Sequence, residues 1–134
     1  MVRRRRRRTD DVSAEVGEER ITIAFEAGVN DENYRSIGEK IHSLLEEHSS
    51  LPVLCFDVSD LEHIPTVALS VFVQNVNERL EKIVFIGAQP QVRDEISLIF
   101  MNRKKAERFY FADDRQLSNE KTLKEIVHEM SSNV

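Results

Sequence analysis

The stretch VLCFDVSDLEHIPTVALSVFVQNVNERL, residues 53–80, decides the architecture of this chain. Val53-Leu54-Cys55-Phe56 is a short, continuously apolar strand that ends in Asp57, and a polar turn follows it. From Pro65-Thr66 the pattern changes to a helical one. At about 100° per residue, Leu69, Phe72, Val73, Val76 and Leu80 fall in one sector and are expected to face a sheet. Val67 and Val71 fall nearly opposite, beside Gln74 and Glu78, so they are expected at the surface. A strand that runs into a helix through a polar turn gathers backbone N–H groups, and the helix dipole there favours negative charge. Such a junction is where a small α/β domain can place a switchable hydroxyl.

The flanking sequence repeats the alternation. Asp11 to Val16 and Arg20 to Glu26 flank Gly17-Glu18-Glu19, and Ile21, Ile23 and Phe25 alternate with Thr22, Ala24 and Glu26, which predicts a hairpin with one buried face. Asn30 or Asp31 is suited to cap a helix whose Tyr34, Ile37, Ile41, Leu44 and Leu45 share a face, ending near Ser49-Ser50-Leu51-Pro52. Lys82 to Gly87 reads as a second buried strand. Gln89-Pro90 opens a further helix, with Pro in a favoured first-turn position, a core stripe of Val92, Ile96, Ile99 and Phe100, and Arg103-Lys104-Lys105 at its C-terminal end. Phe109 to Phe111 forms a last short strand, and Ser118 or Asn119 is the expected cap of a closing helix carrying Leu123, Ile126, Val127 and Met130. Apolar strands separated by helices imply a mostly parallel, helix-covered sheet. The expectation is a single α/β domain over residues 10–134, with an N-terminal hairpin, a sheet of four to five strands and about four helices.

Composition agrees with one domain: 134 residues, 40% hydrophobic and 32% charged, support a single core. No apolar run approaches the roughly 20 residues of a membrane span, and the N-terminus lacks a secretory apolar region, so the expected location is cytoplasmic. The lone Cys55, inside an apolar strand, reads as a reduced core thiol. Net charge is −5, but Arg3 to Arg8 supply six of the 19 basic residues and all 24 acidic ones lie beyond them. Without that block, 13 basic residues stand against 24 acidic ones, a balance of −11. Residues 1–9 are expected to be a disordered arm. The arm could contact nucleic acid or anionic lipid, fold back on the acidic domain, or act as a solubilising tail. No aromatic residue interleaves the arginines to stack on bases, and an acidic body repels a phosphate backbone, which favours the last two.

Over nearly the whole chain after the arm, the pattern resembles the STAS domain of bacterial anti-sigma factor antagonists. The resemblance is carried by Asp57-Val58-Ser59, Leu61, Ile64 and Pro65-Thr66-Val67-Ala68-Leu69, and downstream by Ile86-Gly87, Pro90-Gln91-Val92-Arg93 and the Phe109 to Asp113 ending. It implies a regulatory protein that docks on an anti-sigma factor or serine/threonine switch kinase and is released when a hydroxyl after the motif's Asp is phosphorylated. That position falls on Thr66. Pro65 stands where the family has Asp, Val67 where it has Ser, and Ala68 where it has Gly. Thr after Pro at a helix start is also an ordinary capping arrangement. Ser59 in the approach loop and Ser70 within the helix are poorer acceptors. The expected docking surface comprises Asp57, Ser59, Ile64, Pro65, Thr66, Val67, Val71 and Gln74, with the exposed valines at its apolar centre. The altered motif keeps a second reading open, that of a non-phosphorylated STAS accessory subunit bound to the ATPase of a lipid transporter, the arm then touching anionic lipid.

Catalysis is not expected. His42, His48, His63 and His128 show no zinc-like pairing, and four glycines do not build a phosphate-binding loop. Glu62-His63 is a weak acid/base pair, and Asp113-Asp114 reads as a polar turn. No cofactor, metal or catalytic residue is predicted.

Overall fold

The computed structural model describes residues 12–26, 34–63, 80–101 and 106–132. Six strands form one sheet in the order β1 to β6: Val12–Val16, Arg20–Phe25, Val53–Asp57, Lys82–Ile86, Phe109–Ala112 and Lys121–Thr122. β2 through β5 pair in parallel, while β1 with β2 and β5 with β6 pair antiparallel. The helices are α1 (Tyr34–Glu47), α2 (Pro90–Phe100) and α3 (Leu123–Ser132), with a 3-10 turn at Ala106–Arg108. The sheet is thus mixed and six-stranded rather than mostly parallel with four to five strands. Three helices occur among the described residues rather than about four, and the helix predicted from Pro65 lies outside those residues, as do the arm 1–9, the cap at Asn30 or Asp31, and Arg103-Lys104-Lys105.

Spatial order repeats sequence order, and this has a steric consequence. Parallel crossovers are right-handed, so a sheet that always grows in one direction receives its crossover helices on one face. Ile37, Ile41 and Leu45 of α1, Val92, Ile96 and Phe100 of α2, and Leu123 and Ile126 of α3 all join the cluster that contains Leu54, Phe56, Ile83 and Phe85. The opposite face carries a thinner layer of Cys55, Val84, Ile86 and Ala112, with Val53, Tyr110 and Leu117 packed against it. There the alternation of β2 is less clean than its sequence implies: Thr22 is buried along with Ile21, Ile23 and Phe25. Cys55 is free and wholly buried on this face. Burial pushes its thiol upward, against the opposing effects of Arg20, Thr22 and Lys82.

A row of rings crosses the helix-covered face. Phe25 and Phe56 stack with centroids 5.6 Å apart, Phe56 and Phe85 at 5.7 Å, and Phe85 meets Phe111 at 5.6 Å. Phe56 and Phe85 are direct cross-strand partners, as are Phe85 and Phe111. Phe100 of α2 locks onto the row, 6.1 Å from Phe85 and 4.6 Å from Phe109.

The C-terminal end departs from expectation. Asn119 has φ 54° and Leu117 φ 64°, left-handed conformations unsuited to an N-cap, and neither Ser118 nor Asn119 starts the helix. The chain first forms β6, whose Thr122 pairs with Tyr110. Two residues are too few for a period-two signal. The cap is Thr122: its Oγ1 accepts from the Glu125 amide at 3.1 Å while Glu125 Oε1 accepts from the Thr122 amide at 3.4 Å, a reciprocal capping box.

Phe56→Ala removes the ring at the centre of the row and is expected to cost about 3–5 kcal/mol, a large part of a typical domain's roughly 5–15 kcal/mol. Urea unfolding followed by circular dichroism measures the loss.

Candidate partner-binding site

The exit of β3 is built by a carboxylate that folds the chain back. The Val58 amide donates to the Ile86 carbonyl at 3.0 Å, carrying the pairing with β4 one residue past the strand. Asp57 Oδ1 then accepts from the Ser59 amide at 3.1 Å and from its hydroxyl at 2.6 Å. The Leu61 amide donates to the Val58 carbonyl at 3.1 Å, and the Leu61 side chain is buried.

Arg115, from the loop between β5 and β6, takes the other Asp57 oxygen. Its Nε lies 2.7 Å from Asp57 Oδ2 and its Nη1 2.9 Å from Glu15 Oε2, while its carbonyl accepts from Arg20 Nη2 at 2.7 Å. Glu15 and Asp57 stand on β1 and β3, two strand spacings apart, about 9.6 Å. One side chain therefore straddles β2 and ties both neighbours. Burial alone would raise the Asp57 carboxyl, but hydrogen bonds from the Ser59 hydroxyl, Arg115 and the Ser59 amide outweigh it and hold the group below its ordinary range. The loop supporting Arg115 is itself internally bonded: Asp114 Oδ1 accepts from the amides of Gln116 and Ser118, and Asn119 Nδ2 donates to Asp113 Oδ2.

The other side of the exit is held by α2 and the turn before it. Gln89 Nε2 donates to the Ser59 carbonyl at 3.2 Å, and His63 Nδ1 lies 3.2 Å from Gln91 Nε2 and 3.3 Å from Glu95 Oε2. Gly87 completes the corner at φ 66°, where a Cβ would come within 2.8 Å of Ser59 Cβ, too close for any side chain.

Of the predicted docking residues, Asp57 and Ser59 are thus brought together, bonded to each other. Ile64, Pro65, Thr66, Val67, Val71 and Gln74 lie outside the described residues. His63 meets Gln91 and Glu95 across 28 and 32 residues of sequence, a contact that does not involve Glu62. Sequence reasoning missed Arg115, Gln89 and the packing role of Gly87. Arg115 lies 58 residues from Asp57, and its only local signal is a cation that follows two acids. Among the described residues, no group of three His, Cys, Asp or Glu side chains is placed to hold a metal ion, and no helix is long and apolar enough to cross a membrane.

An antiparallel hairpin leading into a sequentially ordered mixed sheet, with helices packed on one face, is a fold that this chain shares with solved anti-sigma factor antagonists. Three of the solved structures that match it show the likeness. RsbS from Moorella thermoacetica, in a variant form, matches with TM-score 0.55 and 16% identity over 90% of this chain and 97% of that one. The anti-sigma factor antagonist SpoIIAA in its unphosphorylated form matches with TM-score 0.55 and 13% identity over 92% and 98%. An anti-sigma factor antagonist from Mycobacterium paratuberculosis matches with TM-score 0.54 and 18% identity over 69% and 79%. At these identities the likeness is one of fold. No protein-family model matches the chain, and no curated protein does.

Two outcomes test the exit turn. Gly87→Ala forces a left-handed alanine against Ser59 and is expected to cost roughly 1–3 kcal/mol, read by thermal or urea unfolding. Asp57→Asn is expected to cost about 1–2 kcal/mol at neutral pH, the exposed half of Arg115 limiting the figure. Because the folded Asp57 is held below its ordinary 3.8, its contribution is complete above that value and is lost as pH falls through the lower, folded value. The stability gap between wild type and Asp57→Asn should therefore be constant near pH 7 and close in strong acid.

Proposed function

We propose that this chain is a cytoplasmic regulatory binding module of the anti-sigma factor antagonist type. It docks on an anti-sigma factor or serine/threonine switch kinase through the segment that starts at Ile64-Pro65-Thr66. Asp57 and Ser59 form the base of the surface, and Val67, Val71 and Gln74 continue it. The observation that carries this reading is the fold shared with three anti-sigma factor antagonists, joined to a β3 exit braced from both sides by Arg115 and Gln89. A braced exit lowers the entropy lost when the following segment binds a partner. Thr66 is the residue that the partner switches: its hydroxyl takes the terminal phosphoryl group of ATP, releasing ADP and a proton. The added charge, about −1.5 to −2, then opposes docking by repulsion and bulk.

Affinity capture with the tagged full-length chain from its native cytoplasm should recover a small kinase-type partner. Incubating that partner with ATP should add one phosphate to wild type and none to Thr66→Ala, read by intact mass. The Val67→Asp, Val71→Asp double variant should lose binding at unchanged far-UV circular dichroism. Unchanged affinity in that variant would overturn the docking surface, and a wild type that takes up no phosphate would overturn the switch. Recovery of a transporter ATPase instead would replace the whole reading with that of an accessory subunit.

A further inference from the structure

We infer that the loop between β5 and β6, residues 113–119, is a strap that Arg115 latches across the sheet face opposite the helices, and that it opens as a unit, without global unfolding, to uncover the apolar layer around Cys55. Its course follows from its anchors. The loop is rooted on β5 and β6, yet the Arg115 guanidinium meets Glu15 on β1 and Asp57 on β3, and the Arg115 carbonyl accepts from Arg20 at the start of β2. β5 and β1 are four strand spacings apart, about 19 Å. A loop that reaches those partners has to lie over the intervening strands rather than run on past the sheet edge.

On this face the parallel register sets Thr22, Cys55, Val84 and Tyr110 in one row and Ala24, Asp57, Ile86 and Ala112 in the next. Cys55 and Val84 are 0% exposed, although α1, α2 and α3 pack on the other side. Leu117 packs against this layer, and among the described residues it is the one member that no strand supplies.

The strap is internally stiff and externally held at one residue. Asp114 Oδ1 accepts from the Gln116 and Ser118 amides, the Leu117 amide donates to the Asp114 carbonyl at 2.9 Å, and the Asp113 amide donates to the Ser118 carbonyl at 3.0 Å. Among the described residues, its polar anchors to β1, β2 and β3 all run through Arg115. Leu117 is held at φ 64°, a left-handed conformation costly for a bulky side chain, so the latched shape carries strain that favours release. The latch also shares its carboxylate with the β3 exit. Asp57 Oδ1 holds the Ser59 turn while Oδ2 holds Arg115, which couples the exit to the strap through one side chain. This coupling is independent of which partner the exit binds.

Cys55, the chain's one cysteine, reports the opening. The full chain is treated with methyl methanethiosulfonate at fixed pH over a series of sub-denaturing urea concentrations, and labelling is read by intact mass. Wild type should label about tenfold or more faster than global unfolding allows, with a weaker urea dependence than the unfolding transition seen by circular dichroism. Labelling that matches global unfolding in both rate and urea dependence overturns the inference. Within the weakly urea-dependent range, Arg115→Gln and Asp57→Asn should each raise the rate about tenfold, the loss of a hydrogen bond between charged groups. A folded Arg115→Gln that labels at the wild-type rate overturns the latch, and an Asp57→Asn that does so overturns the coupling to the exit. Circular dichroism reports whether each variant folds. If Arg115→Gln does not, Glu15→Gln takes its place; it removes one exposed anchor and should raise the rate about threefold, an unchanged rate again overturning the latch.

Discussion

The in-register stack of Phe56, Phe85 and Phe111 is the constraint on which the remaining structure depends. Strand pairing alone tolerates slippage, and a slip of one residue would turn every inward ring to the opposite face. Three aromatic partners on three adjacent strands, clamped by Phe100, remove that freedom. The residues just beyond the rings inherit the register. Asp57 comes opposite Ile86, Gly87 reaches the Ala112 carbonyl, and the β3 exit lies against the turn that enters α2.

The two faces of the sheet do different work. The helix-covered face holds the large rings and most of the apolar volume. The other face is thin, and polar connections take over toward its β1 side. Arg115 bridges Glu15 and Asp57 there, and elsewhere on the molecule Lys82 lies 2.7 Å from Glu120 and 4.7 Å from the Tyr110 ring centroid. The candidate site sits at the rim between these regimes. Its backbone is fixed by the core, while its carboxylate is held by the Ser59 hydroxyl and amide and by a cation from a loop that comes late in the chain.

The division between what sequence reading recovered and what it missed is physical. The apolar periodicities of β2, β3, β4, β5, α1 and α2 were legible because burial writes them into adjacent residues. Thr122-Leu123-Lys124-Glu125 carried a capping-box signal, but the polar residues Ser118 and Asn119 competed for the same role, and only backbone geometry separates them. β6 was invisible because its two residues are held by pairing with β5 rather than by any pattern of their own. At the site, Asp57 and Ser59 stood out in the sequence, but Arg115 did not, since its partners lie on β1 and β3 and only the folded sheet brings them within reach.

The sequential strand order has a further consequence, for how the chain assembles. Every strand pairs with the one made just before it, so during synthesis from the N-terminus each arriving strand finds its partner edge already formed. The hairpin of β1 and β2 serves as the template. Growth then proceeds by adding one crossover at a time, and no strand has to be inserted between two that are already paired. Such a sheet extends like a zipper, and β6 with its capped helix closes the growing side.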